Sequence, residues 1–171
     1  MAERLRAINP DCEVEARNSR FSSAASISSL SSFDLIIDAI DSVDCKAELI
    51  LGATEAGVPI VSSMGAALRL DPTKVKVTRF EKVEGDGLAR ALRQRFKKLG
   101  RFPSAKFSCV WSGEVARGVP SSEAERIPLL HSGEGIPLLR SGKGSLMQVT
   151  ATFGMCLASE AIKILTKGET K

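Results

Sequence analysis

No hydrophobic run in this sequence approaches the roughly 18–20 residues of a membrane span. The composition, 43% hydrophobic and 26% charged, is that of a soluble globular protein. The first ten residues, MAERLRAINP, are charged and helix-like. They form neither a secretory signal nor an Arg/Ser-rich transit peptide, so a cytoplasmic compartment is the default expectation and no membrane partner is expected. An organelle stays open, because the first residue printed need not be the true N-terminus. The four cysteines (Cys12, Cys45, Cys109, Cys156) are scattered with no CxxC pair, which excludes a zinc knuckle and a disulfide framework. His131 is the single histidine and lies in a loop-like repeat, so a Ser/His/Asp triad is not available. Neither the P-loop pattern nor GxGxxG occurs.

What is present reads as one α/β domain over the 171 residues, long enough to bury a core. Residues 33–42, FDLIIDAIDS, are an apolar run that ends in two acids and a helix-starting Ser42. A run of strand length fits a buried parallel strand, here residues 33–40. The helix after it carries Ala47, Ile50, Leu51 and Ala53 on one face, with Ser42 or Asp44 as its cap and Gly57 as its stop. Residues 58–62 are a second apolar strand, so the stretch is a βαβ unit, which makes a parallel sheet. The fold class that follows is an incomplete doubly wound, Rossmann-like, mostly parallel sheet with flanking helices.

Elsewhere, residues 1–8 are helical and stop at Asn9-Pro10, and residues 12–17 alternate in the β manner. Residues 18–32 hold eight serines; they read either as a linker or as a short helix around 23–30. Residues 74–80 form a half-exposed strand, 87–99 an amphipathic helix and 107–112 another strand. Residues 127–144 repeat a nine-residue unit, IPLLHSGEG then IPLLRSGKG, which is too few copies for a solenoid and reads as a loop duplication. The last helix starts after Ser145 and carries a stripe of Leu146, Val149, Phe153, Leu157, Ala161, Ile164 and Leu165. Ala151, Gly154 and Ala158 give it a second, small-residue face suited to close helix packing, in the core or at a dimer seam.

Three groups could carry chemistry. Acids at the carboxyl end of a parallel strand sit where open α/β sheets bind ligands. Asp38 and Asp41 are therefore site candidates, and a carboxylate there can hold Mg²⁺ together with substrate phosphates. Plain helix capping by Asp41 or Ser42 explains the same spacing. Cys109, with Glu114 nearby in sequence, could be a lowered-pKa nucleophile or a packing residue. Residues 79–106 hold nine Lys/Arg against three acids on a chain of net charge +4. That basic segment, including Arg90, Arg93, Arg95, Lys97 and Lys98, suits a polyanion, and it also describes a solvated helix face.

The segments MAERLRAINP (residues 1–10), DAIDS (38–42) with Lys46, MGAALRLDPT (64–73), GLARALR (87–93) and VTATFGM (149–155) occur in this order. Together they closely resemble the tRNA threonylcarbamoyladenosine dehydratases of the ThiF/MoeB/HesA superfamily of ubiquitin-activating-like adenylating enzymes. The resemblance implies ATP- and Mg²⁺-dependent activation of the carboxylate of N6-threonylcarbamoyladenosine in tRNA, followed by closure to a cyclic hydantoin- or oxazolone-type product. It implies Asp41 as the residue beside the ATP phosphates and the metal ligand, with Asp38 and Lys46 as further cofactor-binding residues. It also implies Cys109 near the region where relatives carry a thiol, tRNA as the partner of the basic helix, and a homodimer. In that family the glycine-rich loop and the cations that grip the triphosphate precede the position of Met1. The chain is thus expected to be the C-terminal two-thirds of such an enzyme and inactive by itself. A non-catalytic tRNA-binding or subunit-pairing module, or an activating enzyme for a ubiquitin-like carrier protein, are the competing expectations.

Overall fold

The apolar run before Asp38 becomes a strand because its alternate residues find two different layers to pack against. In the computed structural model, which describes residues 1–19, 21, 29–114 and 144–168, this strand is β1 (Ile36–Asp38). Four strands are seen among the described residues; the others are β2 (Ile60–Ser63), β3 (Val75–Arg79) and β4 (Ser108–Ser112). The helices are α1 (Ala2–Ile8), α2 (Val43–Glu55), α3 (Gly87–Leu99) and α4 (Met147–Leu165).

The strands form one sheet in the order β1-β2-β4-β3. β1, β2 and β4 are parallel, and β3 runs antiparallel to β4. Side chains alternate across the sheet. Ile36, Ile60, Cys109 and Trp111 face the layer built by α2 and α3, while Val61 and Val110 face Val149, Phe153 and Leu157 of α4. The sheet is therefore mixed but mostly parallel, with helices on both faces, as expected for the Rossmann-like class.

Local chemistry sets the boundaries of α3. Asp86 occupies its N-cap position, and its side chain accepts the Ala89 N–H at 2.9 Å. At the other end Gly100 takes a left-handed φ of +64°. Gly100 and Arg101 return their N–H groups to the carbonyls of Lys97 and Phe96 at 3.2 and 3.3 Å, the paired bonds of a Schellman motif. Inward, Phe96 meets Phe80 edge-on with centroids 6.1 Å apart, and Phe80 stacks on Phe107 at 5.0 Å.

Several expectations are corrected. Residues 12–17 form no strand. Among the described residues no neighbour offers them a ladder; Glu13, Glu15 and Arg17 are exposed, and the Val14 carbonyl accepts from the Arg6 guanidinium. β1 is three residues long rather than eight, because the ladder to β2 covers only residues 36–38. It is an edge strand, and Ile37, which points to the α4 face, remains 50% exposed. Leu30–Ser32 is a single 3₁₀ turn, while residues 22–28 of the proposed short helix lie outside the described residues. So does the repeat, Gly144 excepted. α4 starts from Leu146 rather than Ser145 and has no side-chain cap.

Candidate functional site

The parallel strands β1, β2 and β4 end on the same side, and three loops leave from there. The loop after β1 carries the first candidates. Asp38 and Lys46 are both 0% exposed and form an ion pair of 2.7 Å. Asp38 also accepts the Ser62 hydroxyl at 2.6 Å and the Ile40 N–H at 3.0 Å. Lys46 donates to the Ile40 carbonyl at 2.9 Å. Asp38 and Ser62 share the α2 side of the sheet, and Lys46 reaches them from the first turns of α2. The structure therefore brings two of the three expected cofactor-binding residues together, but onto each other. Their polar atoms hold the β1–α2 turn closed. Asp41 stays exposed in that turn and is the member of the set with a carboxylate on the surface.

Cys109 lies at the centre of the sheet and is 0% exposed. Burial pushes its thiol well above the ordinary range; the Lys46 charge opposes this, and the carboxylates of Asp38, Glu81 and Asp86 add to it. A nucleophilic cysteine needs the opposite environment; the surroundings of Cys109 are those of a packed core position. Glu114 does not serve it either. Its carboxylate accepts the N–H groups of Leu70 and Asp71 at 2.8 and 3.0 Å, and these bonds, Asp71 first, hold it below its ordinary value.

The second loop, residues 64–70 after β2, lies within the MGAALRLDPT segment that carries the resemblance, although no site residue was expected in it. It is pinned at several points. Met64 N–H donates to Val110 O at 2.8 Å, Gly65 N–H to Asp86 Oδ2 at 3.2 Å and Leu68 N–H to Gly144 O at 3.0 Å. Leu68 has a φ of +61°, a left-handed conformation that costs a non-glycine residue about 1–2 kcal/mol. The next residue, Arg69, is only 2% exposed. Its Nη2 lies 3.8 Å from Asp86 Oδ2, and its Nε and Nη1 have no hydrogen-bond partner among the described residues. Asp86 thus caps α3, ties down Gly65 and faces Arg69. An Asp-Gly pair directly before a helical run was the sequence signal for its capping role.

The five cations expected to meet tRNA divide into two sets. Arg93 donates to the carbonyls of Phe80 and Val83 at 2.9 and 2.7 Å and stacks 4.9 Å from the Phe80 ring. Arg95 pairs with Asp44 of α2 at 2.9 Å. Both hold α3 in place. Arg90, Lys97 and Lys98 are exposed, and Arg90 and Lys97, two turns apart, share one side of the helix.

Among the described residues no three His, Cys, Asp or Glu gather to hold a metal, and no helix is long and apolar enough to cross a membrane. A hollow of about 570 Å³ lies beside the entry of β1, lined by Phe21, Leu30, Phe33 and Leu35 among others. It touches none of the candidate residues and reflects the bare sheet edge.

A mostly parallel sheet with helices on both faces and acids at its carboxyl ends defines a Rossmann-like α/β domain. The chain belongs to the ThiF family, which it matches over residues 1–171. It is 37% identical over 172 residues to the tRNA threonylcarbamoyladenosine dehydratase of Escherichia coli, a match that covers 95% of this chain and 63% of that protein. The tRNA threonylcarbamoyladenosine dehydratase 2 of Saccharomyces cerevisiae is 43% identical over 67 residues, 39% of this chain and 15% of that protein. Among solved structures, the E. coli enzyme in complex with AMP superposes with a TM-score of 0.76 at 32% identity, over 99% of this chain and 64% of the other. Its complex with ATP gives 0.73 at 30% identity, over 99% of this chain and 64% of the other. The chain thus spans a little under two thirds of the length of these E. coli relatives.

Proposed function

We propose that this chain takes part in the ATP-dependent cyclisation of N6-threonylcarbamoyladenosine in tRNA. The single observation that carries this reading is the match to the E. coli dehydratase along 95% of the chain, supported by the superposition on its AMP and ATP complexes. ATP supplies a leaving group, since a carboxylate bound to AMP expels AMP far more readily than a free acid expels hydroxide. Asp41 is the donor available to a Mg²⁺ ion. One carboxylate with nucleotide phosphates and water suits that ion, which seldom takes an all-protein cage. Asp38 and Lys46 act behind it by fixing the turn that carries it. Arg90, Lys97 and Lys98 are the cations open to a tRNA backbone.

The test incubates the 171-residue protein with modified tRNA, ATP and Mg²⁺ and follows AMP release together with loss of water from the nucleoside by mass spectrometry. Product formation supports a self-sufficient enzyme. No product from the chain alone, but product once the rest of the E. coli protein is supplied, supports the expected dependence on further polypeptide. No product under either condition contradicts the reading. For the basic helix, Arg90→Glu with Lys97→Glu is expected to weaken tRNA binding and reduce its salt dependence, by about one unit of slope for each phosphate no longer neutralised.

One observation favours subunit pairing as a second reading. Met155, Ile162 and Leu165 of α4 are 74%, 61% and 54% exposed, on the face that also carries the exposed Ala151, Gly154 and Ala158. A homodimer that packs this face is our reading of it. Light scattering that reports a dimer for the wild type and a monomer for Met155→Asp supports it, and a monomeric wild type rejects it.

A further inference from the structure

Arg69 poses a physical problem that the rest of the fold does not solve. A guanidinium keeps its charge at any accessible pH and carries five N–H donors. Burying it without partners is among the most costly arrangements a protein can hold. Among the described residues two of its three nitrogens have no hydrogen-bond partner, and the third is 3.8 Å from the Asp86 carboxylate. Asp86 does not satisfy the remainder: it is held toward Ala89 and Gly65, whose N–H groups it accepts, and at 3.8 Å it is beyond hydrogen-bond reach of Arg69. The loop that presents Arg69 is held in a strained conformation at Leu68. It leaves the carboxyl end of β2, where open α/β sheets take ligands. Unsatisfied groups and stored backbone strain at one place mark a functional site more often than a defect.

We propose that Arg69 is an anion-receiving residue, and that its guanidinium, with Nε and Nη1 unpaired, takes an oxyanion at the carboxyl end of β2. A guanidinium offers paired parallel donors, Nη1 with Nη2 at its end or Nε with Nη2 along its side, that match a carboxylate or a phosphate in bidentate fashion, which a lysine cannot do. The proposed function offers both chemistries: the carboxylate of the threonylcarbamoyl group and the phosphates of the nucleotide. The assignment of a source rests on that function; the anion site itself does not. Both nitrogens are shut off from water, so the ligand enters as residues 64–70 shift, and the left-handed Leu68 is where that loop yields.

The test observes the side-chain Nε–H signal of Arg69 by ¹⁵N NMR, assigned by its loss in Arg69→Lys. The wild-type protein is titrated separately with inorganic phosphate and with the free nucleoside N6-threonylcarbamoyladenosine, which has a carboxylate and no phosphate. A saturable shift with the nucleoside alone assigns the site to substrate carboxylate; one with phosphate alone assigns it to the nucleotide; a shift with both supports a general oxyanion site. Arg69→Lys, with a backbone spectrum that shows it folded, is expected to weaken binding about tenfold, the loss of one charge-assisted hydrogen bond. If neither probe moves the signal at millimolar concentration, or if folded Arg69→Lys binds as tightly as wild type, the proposal is overturned. A protein that fails to cyclise tRNA but still shows the phosphate shift would reject the proposed function and leave the anion site standing.

Discussion

Two buried ionic clusters sit side by side at the carboxyl ends of β1 and β2, and they are built to opposite standards. In the first, Asp38 meets Lys46 at 2.7 Å with Ser62 and the Ile40 backbone completing the set. In the second, Asp86 has its backbone partners but Arg69 stands off at 3.8 Å, with two nitrogens unpaired among the described residues. Both place a carboxylate and a cation out of water beside a strand end. The first is closed: its polar atoms are all engaged with one another and with the turn that carries them. The second is open, and its unpaired donors are what a ligand would satisfy.

The largest way to break this comparison is Lys46→Met. It strands the Asp38 carboxylate in the core and is expected to cost about 3–5 kcal/mol in urea denaturation. Asp86→Ala should come next, at about 2 kcal/mol. It removes the α3 cap, itself worth about 1 kcal/mol, and takes from Arg69 the carboxylate it faces. Gly100→Ala touches neither cluster and measures ordinary backbone cost. Nothing lies within 4 Å of the added Cβ, so the left-handed φ alone sets a loss of about 1 kcal/mol.

A smaller effect comes from acid. Hydrogen bonds from the Thr73 hydroxyl and N–H lower Asp71 from its ordinary 3.8, and the Asp71 and Leu70 N–H groups lower Glu114 from its ordinary 4.5. Both folded values are depressed, so their contribution is full above about pH 4.5 and is lost as pH falls through the folded values. Stability followed by circular dichroism should therefore decline below that pH, and Glu114→Gln should flatten part of the decline. Thiol labelling checks the remaining residue: exposed Cys12 should react while Cys109 is spared until the protein unfolds. Fast labelling of Cys109 in the native state would return it to the catalytic candidates.

Much of the fold was legible because its elements carry strong local signals. Helix α3 has the limits its sequence suggests, residues 87–99, since charges and apolar residues alternate there at helical spacing. The βαβ unit was legible from two apolar runs around a capped helix. Residues 12–17 misled because alternation describes a strand only where a neighbouring strand exists to pair with it.

The site was less legible. Charge pattern treats five cations on α3 alike, but Arg93 lies four residues from Ala89 and three from Phe96, at the border of the buried stripe, so it turns inward to the Phe80 carbonyl. The resemblance offered Lys46 as a cofactor-binding residue, but nothing in the local pattern pairs it with Asp38; the fold does, at 2.7 Å. In Leu68-Arg69-Leu70 the pattern inverts: Arg69 is 2% exposed and Leu70 is 53% exposed. No hydropathy argument recovers that, because the loop's pinning points come from Asp86, Glu114 and Gly144, all distant in sequence.

The most direct measurement is urea denaturation of Arg69→Met beside wild type and Lys46→Met. If the Arg69 cluster exists for a ligand and not for the fold, Arg69→Met stays within about 1 kcal/mol of wild type or gains stability, because an unsatisfied buried charge has been removed. A loss for Arg69→Met as large as that for Lys46→Met would contradict the division between the clusters and make both of them scaffold.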